Sequence, residues 1–558
     1  MNKFIFCFFC LITFLPFSQA QTGKYIIQFT DKKNSPFRIE EPSAFLTDRA
    51  IIRRIRQGIP IVENDLPPNP SYIKKLTECG AKFLHQSRWL NTTTVLINDS
   101  STLNKIRVLP FVKSVKKTNI LKCKLPSDYK AFEIKSGTDA EKKYGLNLTS
   151  DNYDYGLSFN QVNQIGGVCL HNQGFDGASS IICVLDAGFK NADTLSCFDS
   201  IRSNGQLLGT WDFVDNEIGV YEDNDHGSMV LSCMASNLPS VLVGTAPKAS
   251  YWLLRTENAG SELIIEEDNW LAGAEFADSI GADVINSSLG YTLFDSAYQN
   301  HTWADLDGNT ATATIAADIA ASKGIIVCNS AGNEGSGSWK YISVPADADS
   351  ILSVGAVDAN GVRAGFSGVG PTADGRIKPD VAATGNGTYV IAPWSGSVIQ
   401  SGGTSFSSPL IAGMTACISQ ANANKTNMEI ISAIKNSGNQ ASNPDTLLGW
   451  GIPNFCLASG TLSGIQYLYP KNKDELSSVF YNSDEGVFYL YYFSTTESTL
   501  DITFNDMSGK ILLSDQRKVK KGNTHFFKIE NAHALSSGIY VLNIISADSK
   551  ISKKIFKP

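Results

Sequence analysis

Between residues 155 and 460, short apolar runs alternate with helical stretches, and this alternation constrains the fold more than any other feature of the chain. Ile181-Ile-Cys-Val-Leu185, Ala249-Ser-Tyr-Trp-Leu-Leu254, Asp283-Val-Ile-Asn286 and Gly324-Ile-Ile-Val-Cys328 read as strands. Helical stretches at 226–237, 264–280 and 311–323 separate them. A strand that is apolar throughout needs cover on both faces, so the expected class is α/β with a doubly wound, mainly parallel sheet. In such sheets functional residues gather beyond the carboxyl ends of the strands.

At 558 residues the chain exceeds one ordinary core, and its texture changes on both sides of this region. Residues 21–120 form a small α+β unit. It has a strand at Lys24-Tyr-Ile-Ile-Gln-Phe29, a basic amphipathic helix from Arg49 to Arg56, a break at Leu66-Pro-Pro-Asn-Pro70 and a strand at Thr93-Thr-Val-Leu-Ile97. Residues 121–154 are rich in Lys, Asp, Glu and Ser and read as an exposed linker open to cleavage. From 467 to 558, aromatic and β-branched runs such as Val487–Phe493, Leu500–Phe504, Thr524–Ile529 and Ile539–Ile545 recur between turn signals, which predicts a small all-β sandwich.

Residues 1–20 carry Lys3, an apolar stretch from Phe4 to Phe17 and a small residue at Ala20, the pattern of a removed secretory signal. No later segment offers the ~20 continuous apolar residues of a spanning helix. The net charge of −7 gives no reason to expect nucleic acid as a partner. Cys183, Cys233, Cys328 and Cys417 sit in apolar runs and read as buried free thiols. Export permits disulfides among the scattered cysteines, but spacing alone assigns none.

Three short segments carry chemistry. They are Val-Leu-Asp186-Ala-Gly, Asn-Asp-His226-Gly-Ser-Met-Val and Gly-Gly-Thr-Ser405-Phe-Ser-Ser-Pro. Asp, His and Ser in this chain order form one of the known arrangements of a nucleophilic triad. A serine alcohol needs an adjacent base, and Ser405 precedes an apolar, helix-compatible stretch whose N-terminus would favour developing negative charge. His226 is the expected general base; the other histidines beyond the first unit, His171, His301, His525 and His533, lack a comparable setting. Asp186 is expected to orient the imidazole. Asp223 and Asp225 lie nearer in sequence, but a strand-end acid is held more rigidly than two on a loop. Asn333, in Asn329-Ser-Ala-Gly-Asn333-Glu-Gly, is the expected oxyanion donor, with the Ser405 N–H as its partner.

These segments, with Gly244-Thr-Ala-Pro-Lys-Ala249 and Gly449-Trp-Gly-Ile-Pro453, resemble the subtilisin-like serine peptidases, or subtilases, over roughly 155–460. The resemblance implies a secreted serine endopeptidase working through an acyl-enzyme and needing no cofactor for its chemistry. It also implies Ser288, Leu289 and Gly290 as one wall of a peptide-binding cleft and Ser330, Ala331 and Gly332 as the other. Two positions depart from the family pattern: Ser228 replaces the usual Thr, and Met229 replaces a second histidine. Phe45-Leu-Thr-Asp-Arg-Ala50 and Ser87-Arg-Trp-Leu-Asn91 resemble the propeptide of Bacteroidetes-type subtilases, which implies a zymogen blocked by its own N-terminal unit. Leu535-Ser-Ser-Gly-Ile-Tyr540 and Lys550-Ile-Ser-Lys-Lys-Ile555 resemble a type IX secretion sorting domain, which implies passage through the periplasm to the cell surface or medium. Only Tyr469-Pro470-Lys471-Asn472 stands for the Pro-Asn-Pro usual near the start of that domain. Structural calcium is possible by resemblance, with no ligands assigned. The alternatives are an inactive binding protein on the same fold and an acyl-transfer variant.

Overall fold

The computed structural model describes residues 23–119, 151–463, 474–482, 486–521, 524–546 and 549–557. The expected signal segment, nearly all of the expected linker with Cys123, and the Tyr469-Pro470 step lie outside the described residues.

Seven strands form the central sheet, in the order Val381–Thr384, Leu352–Val357, Ile326–Ser330, Val284–Ser287, Ile181–Asp186, Ser250–Arg255 and Leu207–Asp212. Every neighbouring pair runs parallel. The chain starts at Ile181–Asp186, builds one side of the sheet through residue 255, then returns to build the other side from Val284. Asp186 therefore ends the strand at which the winding reverses, where such sheets open a crevice.

The strand sequences follow from double cover. Ile182 and Val184 pack with the helices His226–Ala235 and Thr404–Ala421. Cys183 and Leu185, one residue out of phase, pack with the helices Ile265–Ile280 and Thr312–Ser322. With both faces buried, the period-2 alternation of a half-exposed strand has no room to appear. Two strands begin later than their apolar runs, at Val284 and Ile326. Asp283 instead lies just before its strand, where its carboxylate accepts the Ile181 N–H at 3.0 Å. Cys183, Cys233, Cys328 and Cys417 are buried and free, and Cys169 pairs with Cys456.

The C-terminal residues form a three-stranded sheet (Glu475–Asn482, Val487–Phe493, Thr524–Ile529) and a four-stranded one (Ile511–Val519, Ser498–Asn505, Gly538–Ile545, Lys550–Lys557). They share a core that includes Phe488, Leu490, Phe504, Leu542 and Ile544.

The N-terminal unit is an antiparallel four-stranded sheet with the helices Asp48–Gln57, Pro70–Glu78 and Ser100–Arg107. It docks on the helix Ile265–Ile280 through the two segments singled out in its sequence. Thr47 caps its own helix and donates its N–H to the Ser279 carbonyl at 2.9 Å. Arg49 pairs with Asp283. Ser87 Oγ and the backbone N–H groups of Arg88 and Trp89 all donate to the Glu275 carboxylate.

Asp278 sits at the centre of this contact. It is fully buried and pairs with Arg53, with Arg54 at 2.8 Å and with Arg88 at 2.7 Å. Burial pushes its carboxyl up, but the three guanidiniums outweigh burial and hold it below the usual carboxylate range. Asp65 pairs with Arg54 at 3.0 Å and, across the same contact, with Lys323 at 2.9 Å.

Removing one partner of a buried charge group strands the others without solvent. Asp278→Ala is expected to cost about 3–5 kcal/mol in urea unfolding of the full chain. A loss of under ~1 kcal/mol, the size of an exposed pair, would mean that the network does not hold the two units together.

Candidate active site

The candidate residues meet at the carboxyl edge of the sheet. Asp186 is buried at its strand end and accepts the Ala187 N–H at 2.8 Å. His226 opens the helix His226–Ala235, its N–H bonded to Asn224 Oδ1 at 2.8 Å. Gly227 lets that helix press close, since a methyl group there would sit 2.4 Å from the Gly188 carbonyl oxygen. His226 Nδ1 then lies 2.8 Å from Asp186 Oδ1. Of the two acids nearer in sequence, Asp223 pairs with Arg255 at 3.4 Å, and Asp225 acts on the ring only through its charge.

With Nδ1–H donated to Asp186, the neutral imidazole keeps the Nε2 lone pair free to accept a proton. Burial opposes charge on the ring, yet the charge and hydrogen bond of Asp186, with the Asp225 charge, outweigh it and raise the His226 pKa above its usual value. The ring keeps a quarter of its surface open.

Ser405 is the second residue of the helix Thr404–Ala421, and this helix packs against the His226 helix. Phe406 places its ring centroid 6.0 Å from that of His226. Ser405 Oγ makes a long contact of 3.4 Å to the Ser288 carbonyl oxygen, weak by hydrogen-bond criteria. Gly403 precedes the helix at φ 151°, a conformation that side-chain-bearing residues rarely adopt.

That turn also brings Asn333 against the start of the helix. Asn333 Oδ1 accepts from the Thr404 N–H at 2.8 Å and the Thr404 hydroxyl at 3.0 Å, which fixes the amide orientation. A methyl group on Gly403 would lie 3.7 Å from both Asn333 Nδ2 and the Ser405 backbone nitrogen, so both nitrogens border one space. Thr404 Oγ1 also accepts the Gly332 N–H at 3.2 Å. In sequence, nothing but its place beside Ser405 marks Thr404.

The two expected cleft walls are joined at their base. The Leu289 carbonyl accepts from Asn329 Nδ2 and Ser330 Oγ, each at 3.2 Å. Ser288 Oγ donates to the Ser405 carbonyl at 2.8 Å. Ser288 and Leu289 are nearly buried and Gly290 is exposed, whereas Ser330, Ala331 and Gly332 are all buried. The Ala331 and Gly332 N–H groups are already bonded, to the Val354 carbonyl and to Thr404. Among the described residues, no group of three or more His, Cys, Asp or Glu side chains could hold a metal ion.

A doubly wound parallel sheet with Asp186, His226 and Ser405 at its reversal point defines an α/β protein of the serine-hydrolase type. Residues 177–451 match the subtilase family, residues 24–131 the Bacteroidota propeptide domain of peptidase S8, and residues 479–557 a secretion system C-terminal sorting domain. Subtilisin from Bacillus pumilus is 31% identical over 274 residues, covering 48% of this chain and 87% of that protein. Subtilisin DY from Bacillus licheniformis is 33% identical over 249 residues, covering 44% and 78%. Subtilisin NAT from Bacillus subtilis subsp. natto is 31% identical over 287 residues, and the match spans 50% of this chain and 66% of that protein, just short of two thirds. The chain belongs to the subtilase family.

Linkage gives the pair a direction. The folded His226 pKa lies above its unfolded value, so the stabilisation from the Asp186 pair is full below about pH 6.5 and is lost as pH rises through the folded pKa. In Asp186→Asn the two largest raising influences vanish and burial remains. Imidazole NMR titration is expected to move His226 from above the usual value to below it. An unchanged His226 titration would show that Asp186 does not set the ring's protonation.

Proposed function

We propose that the chain is a secreted serine endopeptidase made as a zymogen. The observation that carries this reading is the 2.8 Å bond from His226 Nδ1 to Asp186, beside a helix start that brings Ser405 and two N–H donors to one space. Ser405 Oγ attacks the peptide carbonyl carbon while His226 Nε2 takes its proton. Catalytic hydrogen bonds are often long in a free enzyme and tighten with substrate, which accommodates the present Ser405 rotamer. Charge builds on the carbonyl oxygen between Asn333 Nδ2 and the Ser405 N–H. Imidazolium, held by Asp186, then protonates the leaving amine and leaves an acyl-Ser405 ester. Water, deprotonated by the same ring, resolves the ester and frees the acid product.

The substrates on this reading are proteins and extended peptides, laid along the Ser288-Leu289-Gly290 wall with Ser330-Ala331-Gly332 opposite. The propeptide, docked through its arginines, acts as the chain's own inhibitor until the segment between the two units is cut. The sorting domain addresses the protein to the type IX secretion machinery and so to the cell surface or medium, by way of the periplasm. Side chains and backbone N–H groups supply all of the chemistry.

Intact mass over time, with fluorophosphonate labelling, tests the proposal. Wild type is expected to label at Ser405 and to shed an N-terminal fragment ending within residues 120–155, while Ser405→Ala does neither. Absence of labelling after removal of the N-terminal unit by an added protease would favour a binding protein that has kept the fold. Asn333→Ala is expected to lower kcat by about 10²–10³-fold with little change in KM, an effect of the size found for such a donor in subtilisin. A loss below about fivefold would take Asn333 out of the oxyanion site.

A further inference from the structure

Behind the Ser288-Leu289-Gly290 wall lies a group of buried acids that the triad chemistry does not use. Glu257 comes two residues after the strand Ser250–Arg255, and the intervening Thr256 donates its N–H to the Asp186 carbonyl at 3.0 Å. Glu257, Glu266 and Tyr291 are 8%, 2% and 1% exposed. The Tyr291 hydroxyl donates to Glu257 Oε1 and lies 3.4 Å from the Glu266 carbonyl oxygen. The Glu266 carboxylate accepts the N–H groups of Asn258 at 3.1 Å and Leu263 at 2.9 Å, which closes the loop after Glu257.

Tyr291 also ties the two cleft walls together. It is the next residue after Gly290, and it exchanges backbone hydrogen bonds with Val344 at 2.8 and 3.2 Å. Ser343, one residue earlier, donates its N–H to the Ala331 carbonyl at 3.1 Å. Its Oγ fills the space above both walls: a methyl group would meet it at 2.1 Å on Gly290 and at 2.9 Å on Gly332. Both walls are thus referenced to Tyr291, and Tyr291 is referenced to the Asp186 strand through Glu257.

The surroundings of this link are acidic. Glu262 and Asp186 act on Glu257; Glu257 and Glu262 act on Glu266; Glu266 and Glu267 act on Tyr291. Lys24 of the N-terminal unit feels Glu266, but it feels Asp215 and Asp212 more strongly. Among the described residues no lysine or arginine forms an ion pair with Glu257 or Glu266. Burial is the main influence on Glu257; the Tyr291 hydrogen bond opposes it, the charges of Glu262 and Asp186 add to it, and the carboxyl is pushed up to about 8. A charge placed here is relieved most easily by moving toward water, which would carry Tyr291 with it.

We propose that Glu257 is a positioning residue that works as a neutral acid: its carboxyl and the Tyr291 hydroxyl hold both peptide-binding walls in register with Asp186, and loss of its proton loosens the walls and weakens peptide binding. The inference rests on the endopeptidase reading above. Its signature is a split between KM and kcat, because the triad itself is untouched.

The test compares the self-processed wild-type chain with Glu257→Gln and Glu257→Ala, using a tetrapeptide anilide. In wild type, KM is expected to rise about tenfold from about pH 7 to about pH 9.5 while kcat changes by less than about twofold. Glu257→Gln keeps a permanently neutral group, so its KM should stay at the neutral-pH value throughout. Glu257→Ala should show the raised KM at every pH; should it fail to fold, the glutamine variant still decides. An alkaline rise in Glu257→Gln equal to that of wild type overturns the proposal. Infrared spectra give a readout that needs no activity. The protonated-carboxyl C=O absorption at neutral pH should be weaker in Glu257→Gln than in wild type, and an unchanged absorption overturns the neutral acid. An inactive wild type whose infrared difference is present would instead defeat the endopeptidase reading.

Discussion

The structure depends on one constraint: a sheet whose neighbouring strands all run parallel, buried on both faces. Parallel strands send every carboxyl end to the same edge, and burial on both faces keeps the strands mostly apolar before it. The reversal of winding at Ile181–Asp186 then leaves a crevice at that edge with no crossover above it. Helices that must start at the same edge bring their N-termini there. Two of them begin with His226 and with Thr404-Ser405. The placement of Asp186, His226 and Ser405 is thus a by-product of topology, refined by two local devices: the glycine at 227 that lets one helix approach, and the turn at Gly403 that precedes the other.

What was legible in the sequence were features that local chemistry writes locally. Doubly buried strands leave continuous apolar runs, and helix starts leave glycine beside a polar residue. Preferring Asp186 over Asp223 and Asp225 needed only the argument that a strand-end acid is rigid; the structure adds that Asp223 is engaged by Arg255. What was not legible depends on pairs far apart in the chain. Tyr291 and Glu257 are separated by 34 residues, Thr404 and Asn333 by 71, and Cys169 and Cys456 by 287. No periodicity relates such partners. A buried tyrosine or glutamate looks, in sequence, like any other residue of a mixed helix–loop segment.

The N-terminal unit shows the same division. Its sequence marked Thr47, Arg49 and the Ser87-Arg-Trp run as distinctive without saying what they touch. In the fold these residues grip one helix of the subtilase region and the turn after it, and three arginines converge on Asp278. Buried ion groups are a poor source of net stability compared with apolar packing, because desolvation offsets most of the attraction. Their value lies in what happens when the partner is absent: a buried-type carboxylate must be hydrated or paired. A propeptide that docks through guanidiniums therefore fits one geometry closely, and once detached leaves a face that water can satisfy. This suits a partner that must bind during folding and leave afterwards better than an apolar interface, which would remain sticky.

The acids around the site carry this reasoning into the chemistry. Asp186 has a specific partner, the His226 ring, whose positive form it favours. Glu257 lies one hydrogen-bonded step away, through Thr256, and has a phenol for a partner in place of a cation. A phenol hydrogen bond does not compensate a buried negative charge as a cation does, so burial keeps the Glu257 carboxyl pushed up. A neutral Glu257 lets a rigid, polar link run from the Asp186 strand to both peptide-binding walls without bringing a second fixed charge into the crevice.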